Sequence, residues 1–202
     1  MARDAFLFLV PLLVATVTAL WLGWTSITVV LAILVLFVAF FFRDPERPIS
    51  PDPSVIVSPA DGRIVRIEKD GAGNRISIFL SIFNVHVNRS PVAGEVVEVR
   101  YKRGRFRAAF NPLASVENEK NTLTIKGDDV TVVCSQIAGL IARRIVCWKS
   151  PGNRVRKGDR IGLIRFGSRV DLTVPERVTI AVRIGDRVKG GSSTIGTIKT
   201  LP

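Results

Sequence analysis

The sequence predicts a mainly β protein, a barrel-like sandwich, carried behind an N-terminal membrane helical hairpin. Three observations predict it. Ala5 to Phe42 is a run of 38 residues without a charge. Beyond residue 43 the apolar residues come in short runs split by Gly-Asp and Asp-Gly pairs, with no long helical period. Two pairs of segments in that part also repeat a turn-then-strand pattern.

The uncharged run is too long for one crossing. A bilayer core of ~30 Å takes ~20 helical residues, whereas one straight helix of this length would reach ~57 Å. Its weakest helix-forming stretch is Gly23-Trp24-Thr25-Ser26, so the expectation is one short helix near 5–22 and another near 26–42. Trp21 and Trp24 then sit at an interface. A single tilted span is the alternative. A cleaved signal peptide is disfavoured, since the apolar run is far too long and ends in Phe40-Phe41-Phe42. Residues 1–42 are read as the membrane anchor and 43–202 as a β-rich domain, on the cytoplasmic side of the cell membrane. Basic flanks favour that side.

Residues 43–59 hold five prolines and read as an extended linker. Strands are predicted at Ile64–Ile67, Ile76–Leu80, Val96–Val99, Thr122–Ile125, Val130–Val133, Ile161–Ile164, Val178–Val182 and Thr194–Ile198. Ile137–Trp148 reads as either strand or helical turn. Pro59–Ile67 repeats as Pro91–Val99, each a Pro-x-x-Gly before a strand. Arg154–Gly162 repeats as Arg187–Gly196, with one extra residue in the second copy. Such units recur in lipoyl- and biotinyl-type modules, and the sandwich is read as related to them. No Met-Lys-Met lysine is present, which disfavours a carrier role.

The chain carries 29 basic and 17 acidic residues, a net +12 that belongs entirely to residues 43–202. That surplus beside an apolar anchor points to anionic headgroups before nucleic acid. Cys134 and Cys147 make neither a disulfide scaffold nor a four-cysteine zinc site and read as buried free thiols. A single histidine excludes a multi-histidine metal centre, and no metal is expected.

That histidine, His86, follows a change of face. Apolar residues sit at Ile76, Ile78, Leu80 and Ile82, then switch to Val85 and Val87. A strand cannot switch face without a bend, so the chain is re-aimed near Ser81–Asn84, and Asn84, His86 and Asn88 share a polar face. A lone histidine is most often a satisfied structural residue, but this one is placed for acid–base work. Gly190-Gly191-Ser192-Ser193 is by default a flexible turn, yet a predicted strand follows it. A glycine before a serine permits a strained peptide bond, and a serine hydroxyl beside a base can attack the carbonyl preceding it. Asp61, in Pro-Ala-Asp-Gly, is by default a turn residue and otherwise a partner that orients a histidine.

Taken together, Ser58–Gly62, Phe83–Pro91, Val116–Asn121, Arg165–Val170 and Gly191-Ser192-Ser193 resemble the short class of phosphatidylserine decarboxylase proenzymes. The likeness covers nearly the whole chain. It implies that Asp61 and His86 activate Ser192, which attacks the Gly191 carbonyl. The chain would then be cut between 191 and 192, leaving a covalent pyruvoyl group made from Ser192. Fragments 1–191 and 192–202 would stay associated. The pyruvoyl group would form a Schiff base with the serine headgroup of an anionic lipid and release the ethanolamine lipid, with His86 as proton donor. An archaeal source would imply an ether-linked serine lipid. Arg169 with Ser168 is assigned to the lipid phosphate, because guanidinium matches phosphate geometry. Glu117, Asn118 and Glu119 receive no role, and a homo-oligomer is left open. The rival readings are a membrane-tethered Ser-His-Asp hydrolase, a non-catalytic lipoyl-like membrane adaptor, and a nucleic-acid binder, the last lacking an RNA-binding aromatic signature.

Overall fold

A computed structural model describes residues 3–71, 73–104, 118–139, 144–165 and 168–199. The chain divides into two units, Met1–Glu46 and Arg47–Pro202.

The first unit holds two α-helices, α1 (Phe6–Trp21) and α2 (Thr25–Phe41). Gly23 turns the chain between them at φ +73°, a conformation that costs glycine little. The start of α1 lies beside the end of α2, where the Phe8 and Phe42 rings stack with centroids 5.6 Å apart. Thr16, Thr18 and Thr28 donate their hydroxyls to carbonyls one turn back, so these polar groups are satisfied within their own helices. No helix among the described residues is long and apolar enough to cross a membrane.

The second unit is built from strands. They are β1 (Val55–Val57), β2 (Gly62–Asp70), β3 (Gly73–Leu80), β4 (Val87–Arg89), β5 (Gly94–Lys102), β6 (Lys120–Lys126) and β7 (Thr131–Ala138). The remainder are β8 (Ile145–Cys147), β9 (Arg154–Val155), β10 (Arg160–Ile164), β11 (Ser168–Pro175), β12 (Val178–Ile180), β13 (Arg187–Val188) and β14 (Thr194–Ile198). An eight-stranded sheet runs β13-β2-β3-β11-β7-β6-β5-β9, and two three-stranded sheets run β1-β14-β12 and β4-β10-β8. The mainly β class expected from sequence is correct. The expected barrel is not closed: β13 and β9 are the free edges of the large sheet.

That strand order reads as a palindrome, with β13 answering β9, β2 answering β5, β3 answering β6 and β11 answering β7. The hydrogen bonds repeat with it. Val57 N donates to Pro91 O at 3.0 Å, and Arg89 N donates to Pro59 O at 2.9 Å. Ile64 N meets Asp186 O and Val96 N meets Asn153 O, both at 2.9 Å. Val188 pairs with Gly62 as Val155 pairs with Gly94. The sequence repeats are therefore the two arms of an internal two-fold.

One core serves all three sheets. Ile76, Ile78 and Leu80 of β3 and Val170, Leu172 and Val174 of β11 pack with Ile56, Ile161 and Ile195 of the small sheets. Each such side chain contributes about 1.5–3 kcal/mol when fully buried. The strand β11 had no expectation attached to it, because Arg169 and Asp171 break up its apolar run. The alternation Val170, Leu172, Val174 carries it, and it sits in the middle of the large sheet. β1 lies within the proline-rich linker.

Candidate active site at the Gly191–Ser192 turn

Two turns sit at equivalent places in the two halves. In one, Gly158 has φ +81° and donates its N–H to Ser90 O at 2.8 Å, while Ser90 N donates to Asp159 O at 2.7 Å. In the other, Gly191 has φ +80° and donates to Ser58 O at 2.8 Å, while Ser58 N donates to Ser193 O at 2.8 Å. Asp159 closes the first by accepting Arg156 N through Oδ2 at 2.9 Å. Ser193 closes the second by accepting Lys189 N through Oγ at 2.9 Å. Gly158 thus answers Gly191 and Asp159 answers Ser193. Ser192 answers nothing, so it is the inserted residue. Its Oγ is buried and has no hydrogen-bond partner among the described residues. A hydroxyl so placed forgoes bonds that most buried polar groups make.

Asp61 anchors this turn. Its Oδ1 accepts Gly190 N–H at 2.7 Å, and its Oδ2 pairs with Arg47 at 2.8 Å. A Cβ at Gly190 would be tight, 3.3 Å from the Ala60 backbone. The carboxylate is therefore directed at the loop and at Arg47. This departs from the expectation that Asp61 orients the imidazole.

His86 is held differently. The chain leaves β3 at Leu80 and turns sharply, with Asn84 N donating to Ser81 O and Asn84 Oδ1 accepting both Ser81 N–H and Ser81 Oγ–H, each at 2.9 Å. This is the bend that the switch of apolar face required. After it, His86 is 2% exposed and its Nδ1 faces Asn84 O at 2.9 Å. A carbonyl only accepts, so Nδ1 is the donor, which leaves Nε2 as the nitrogen that gives up or takes the exchangeable proton. Two residues on, buried Asn88 accepts from Gln136 at 2.9 Å, and Gln136 accepts from Asn121 at 3.0 Å. This chain fixes β4 against the large sheet. Arg89 completes the convergence: its Cδ would lie 2.8 Å from a Cβ at Gly191, and its Nη1 donates to Gly158 O at 3.1 Å.

A cleft of about 590 Å³ opens beside Asp61, lined also by Arg63, Phe79, Phe83, Asn84, Arg187 and Lys189. Arg63, Arg187 and Lys189 are exposed and cationic. Ser168 and Arg169 are not among its lining residues. Arg169 is 2% exposed and gripped by Asp171, with Nε–Oδ1 at 2.9 Å and Nη2–Oδ2 at 3.1 Å. Burial works against its charge and Asp171 works for it. A guanidinium so enclosed does not present itself to a lipid phosphate, so the expectation for Arg169 is corrected. Ser168 is buried at the start of β11, with its Oγ lacking a hydrogen-bond partner among the described residues. Asn118 donates to Ala138 O at 2.7 Å and Glu119 O accepts Ala138 N, so both tie β6 to β7. Glu117, with Phe166 and Gly167 of the Arg165–Val170 motif, lies outside the described residues.

The sequence profile of phosphatidylserine decarboxylase matches residues 34–196. The chain belongs to the phosphatidylserine decarboxylase family. It is 47% identical over 188 residues to a phosphatidylserine decarboxylase proenzyme of Solibacter usitatus, covering 93% of this chain and 92% of that one. The Symbiobacterium thermophilum proenzyme is 44% identical, with 98% and 95% covered. The Carboxydothermus hydrogenoformans proenzyme is 45% identical, with 98% and 97% covered. Within this decarboxylase chain, Arg47, which pairs with Asp61, and Arg89, which lies beside Gly191, are residues at the turn that the sequence reading did not single out. Extending the first repeat two residues back aligns Arg89 with Val57, and that mismatch was the available signal.

Proposed function

We propose that the chain is made as an inactive precursor, cuts itself between Gly191 and Ser192, and then decarboxylates phosphatidylserine-type lipids to ethanolamine lipids at a membrane. The observation that carries this is Ser192, an inserted residue with a buried, unbonded hydroxyl, directly after a glycine in the left-handed region. These residues fit the formation of a pyruvoyl group at position 192. That group supplies an electron-withdrawing carbonyl beside the headgroup amine, which loss of carbon dioxide requires.

The chain's own residues have separable tasks. Asp61 holds the turn through Gly190. His86, with its proton on Nδ1, takes the Ser192 hydroxyl proton at Nε2 and later returns a proton to the decarboxylated carbon. Arg63, Arg187 and Lys189 give the cleft the positive charge that a lipid phosphate seeks, and we assign the headgroup phosphate to them. β14 is the central strand of its sheet, so fragment 192–202 stays paired on both sides after the cut. The turn-then-strand duplication also supports kinship with the lipoyl- and biotinyl-type modules.

Helices α1 and α2 have 16 and 17 residues, so each reaches only ~25 Å against a hydrocarbon core of ~30 Å. Their exposed faces carry Leu7, Val14, Val17, Leu20, Val30, Ile33 and Leu36. We read the pair as a shallow hairpin that returns the chain to the cytoplasmic side, where residues 43–202, net +12, meet anionic lipid. The test uses full-length protein in detergent with vesicles of carboxyl-labelled phosphatidylserine. Release of labelled carbon dioxide, blocked by hydroxylamine but not by a serine-directed phosphonate, is expected. Phosphonate inhibition without carbon dioxide release would put a hydrolase in its place.

A further inference from the structure

We infer that Arg89 is the counter-ion of self-cleavage: its guanidinium balances the charge that develops on the Gly191 carbonyl, and then holds the Gly191 carboxylate that cleavage leaves behind. The inference rests on the self-cleavage reading above and adds a residue to it.

The chemistry creates a buried anion. Ser192 Oγ bonds to the Gly191 carbonyl carbon, the C–N bond breaks, and an ester results. Loss of the Ser192 α-proton then breaks the Cβ–Oγ bond, which leaves Gly191 as a carboxylate and residue 192 as dehydroalanine. One water converts the dehydroalanine to the pyruvoyl group, and ammonium leaves. The new negative charge therefore stays on Gly191, which is buried. An unpaired charge there is costly.

Arg89 is the cation in place. It is 4% exposed, and its Cδ and Nε would lie 2.8 and 3.8 Å from a Cβ on Gly191. Its Nη1 is pinned to Gly158 O at 3.1 Å, and Gly158 Cα would lie 3.7 Å from that same Cβ. The side chain is thus clasped between the two positive-φ glycines. Other cations near the turn lie elsewhere. Arg47 is paired with Asp61, while Arg63, Arg187 and Lys189 are exposed along the cleft. Asp61, bonded to the neighbouring Gly190, adds a second carboxylate close by and sharpens the need for positive charge. Packing alone does not demand arginine, since beside Gly158, the glycine that answers Gly191, the corresponding space is filled by Ile49.

The test follows conversion of full-length protein to fragments by mass spectrometry, for wild type, Ser192→Ala, Arg89→Lys and Arg89→Met. Arg89→Met is expected to slow conversion ~100-fold, the scale of losing one donor to a developing oxyanion. Arg89→Lys should recover most of that loss, as should added methylguanidinium with Arg89→Met. Conversion of Arg89→Met within about twofold of wild type overturns the inference. So does a defect that neither lysine nor methylguanidinium relieves. A second measurement needs no variant. In cleaved wild type labelled with carbonyl-¹³C glycine, the Gly191 carboxylate should titrate below the usual C-terminal range of ~3.3–3.7. Titration above that range overturns the inference. If wild type itself never converts, the self-cleavage reading fails and takes this inference with it.

Discussion

The Arg156–Asp159 turn and the Lys189–Ser193 turn are bonded alike, down to a glycine near φ +80° and a serine N–H from the preceding arm. Their residues differ. The first has Ala93, Lys157 and Asp159 where the second has Asp61, Gly190 and Ser193, Ile49 lies beside Gly158 where Arg89 lies beside Gly191, and Ser192 has no equivalent at all. The first turn is what the fold needs; the second is the same turn with an added serine, an acidic anchor and a buried cation beside it. On the proposed self-cleavage, duplication separates the residues that hold the structure from those that do chemistry, inside one chain.

Deleting Ser192 breaks the comparison most completely, because it gives the second turn the length of the first. The deleted protein is expected to fold and bind vesicles as before, with no fragment formation and no carbon dioxide release. Next is Asp61→Ala, which installs the residue that the other half carries. It frees Gly190 N–H and leaves Arg47 without its carboxylate, so unfolding stability should fall by about 2 kcal/mol in a denaturant titration. Fragment formation should slow at the same time by ~100-fold, since a turn misplaced by about 1 Å loses about that factor. Asp159→Ala is the matched control in the other turn. It removes the acceptor for Arg156 N, so a loss of about 1 kcal/mol is expected with fragment formation unchanged.

The smallest effect concerns the half without the serine. Cys134 of β7 is free and fully buried, and burial pushes its thiol up to about 12. It stays protonated at pH 8 and should react with a disulfide reagent only when the sheet opens. Its labelling rate should be the same in wild type and in the Ser192 deletion. Cys147 is half-buried and also free, and should label first.

How much of this was legible in the sequence depended on range. The repeats at Pro59 and Pro91 were visible because a Pro-x-x-Gly turn is a local signal, and the strands at Ile76, Thr122 and Thr194 were visible through alternation. The bend before His86 was visible as a change of apolar face. Asp61, His86 and Ser192 were named from motif and resemblance, and the Asp61 carboxylate meets the turn that carries Ser192 through Gly190 N–H. Their bonding was not legible: Asp61 answers Gly190 and Arg47, which are 129 and 14 residues away. Arg169 misled because one arginine among 29 basic residues carries no mark of its partner, and Asp171 lies only two positions along the same strand face. The palindromic order of the large sheet follows from long-range pairing, which periodicity does not encode.

The central claim is that Ser192 was inserted into a duplicated turn in order to cut it. Intact-mass measurement of purified wild-type protein tests this most directly. The account predicts a chain ending at Gly191 together with a retained 192–202 partner blocked by a pyruvoyl group. A fully active protein that remains one unmodified chain of 202 residues would contradict it.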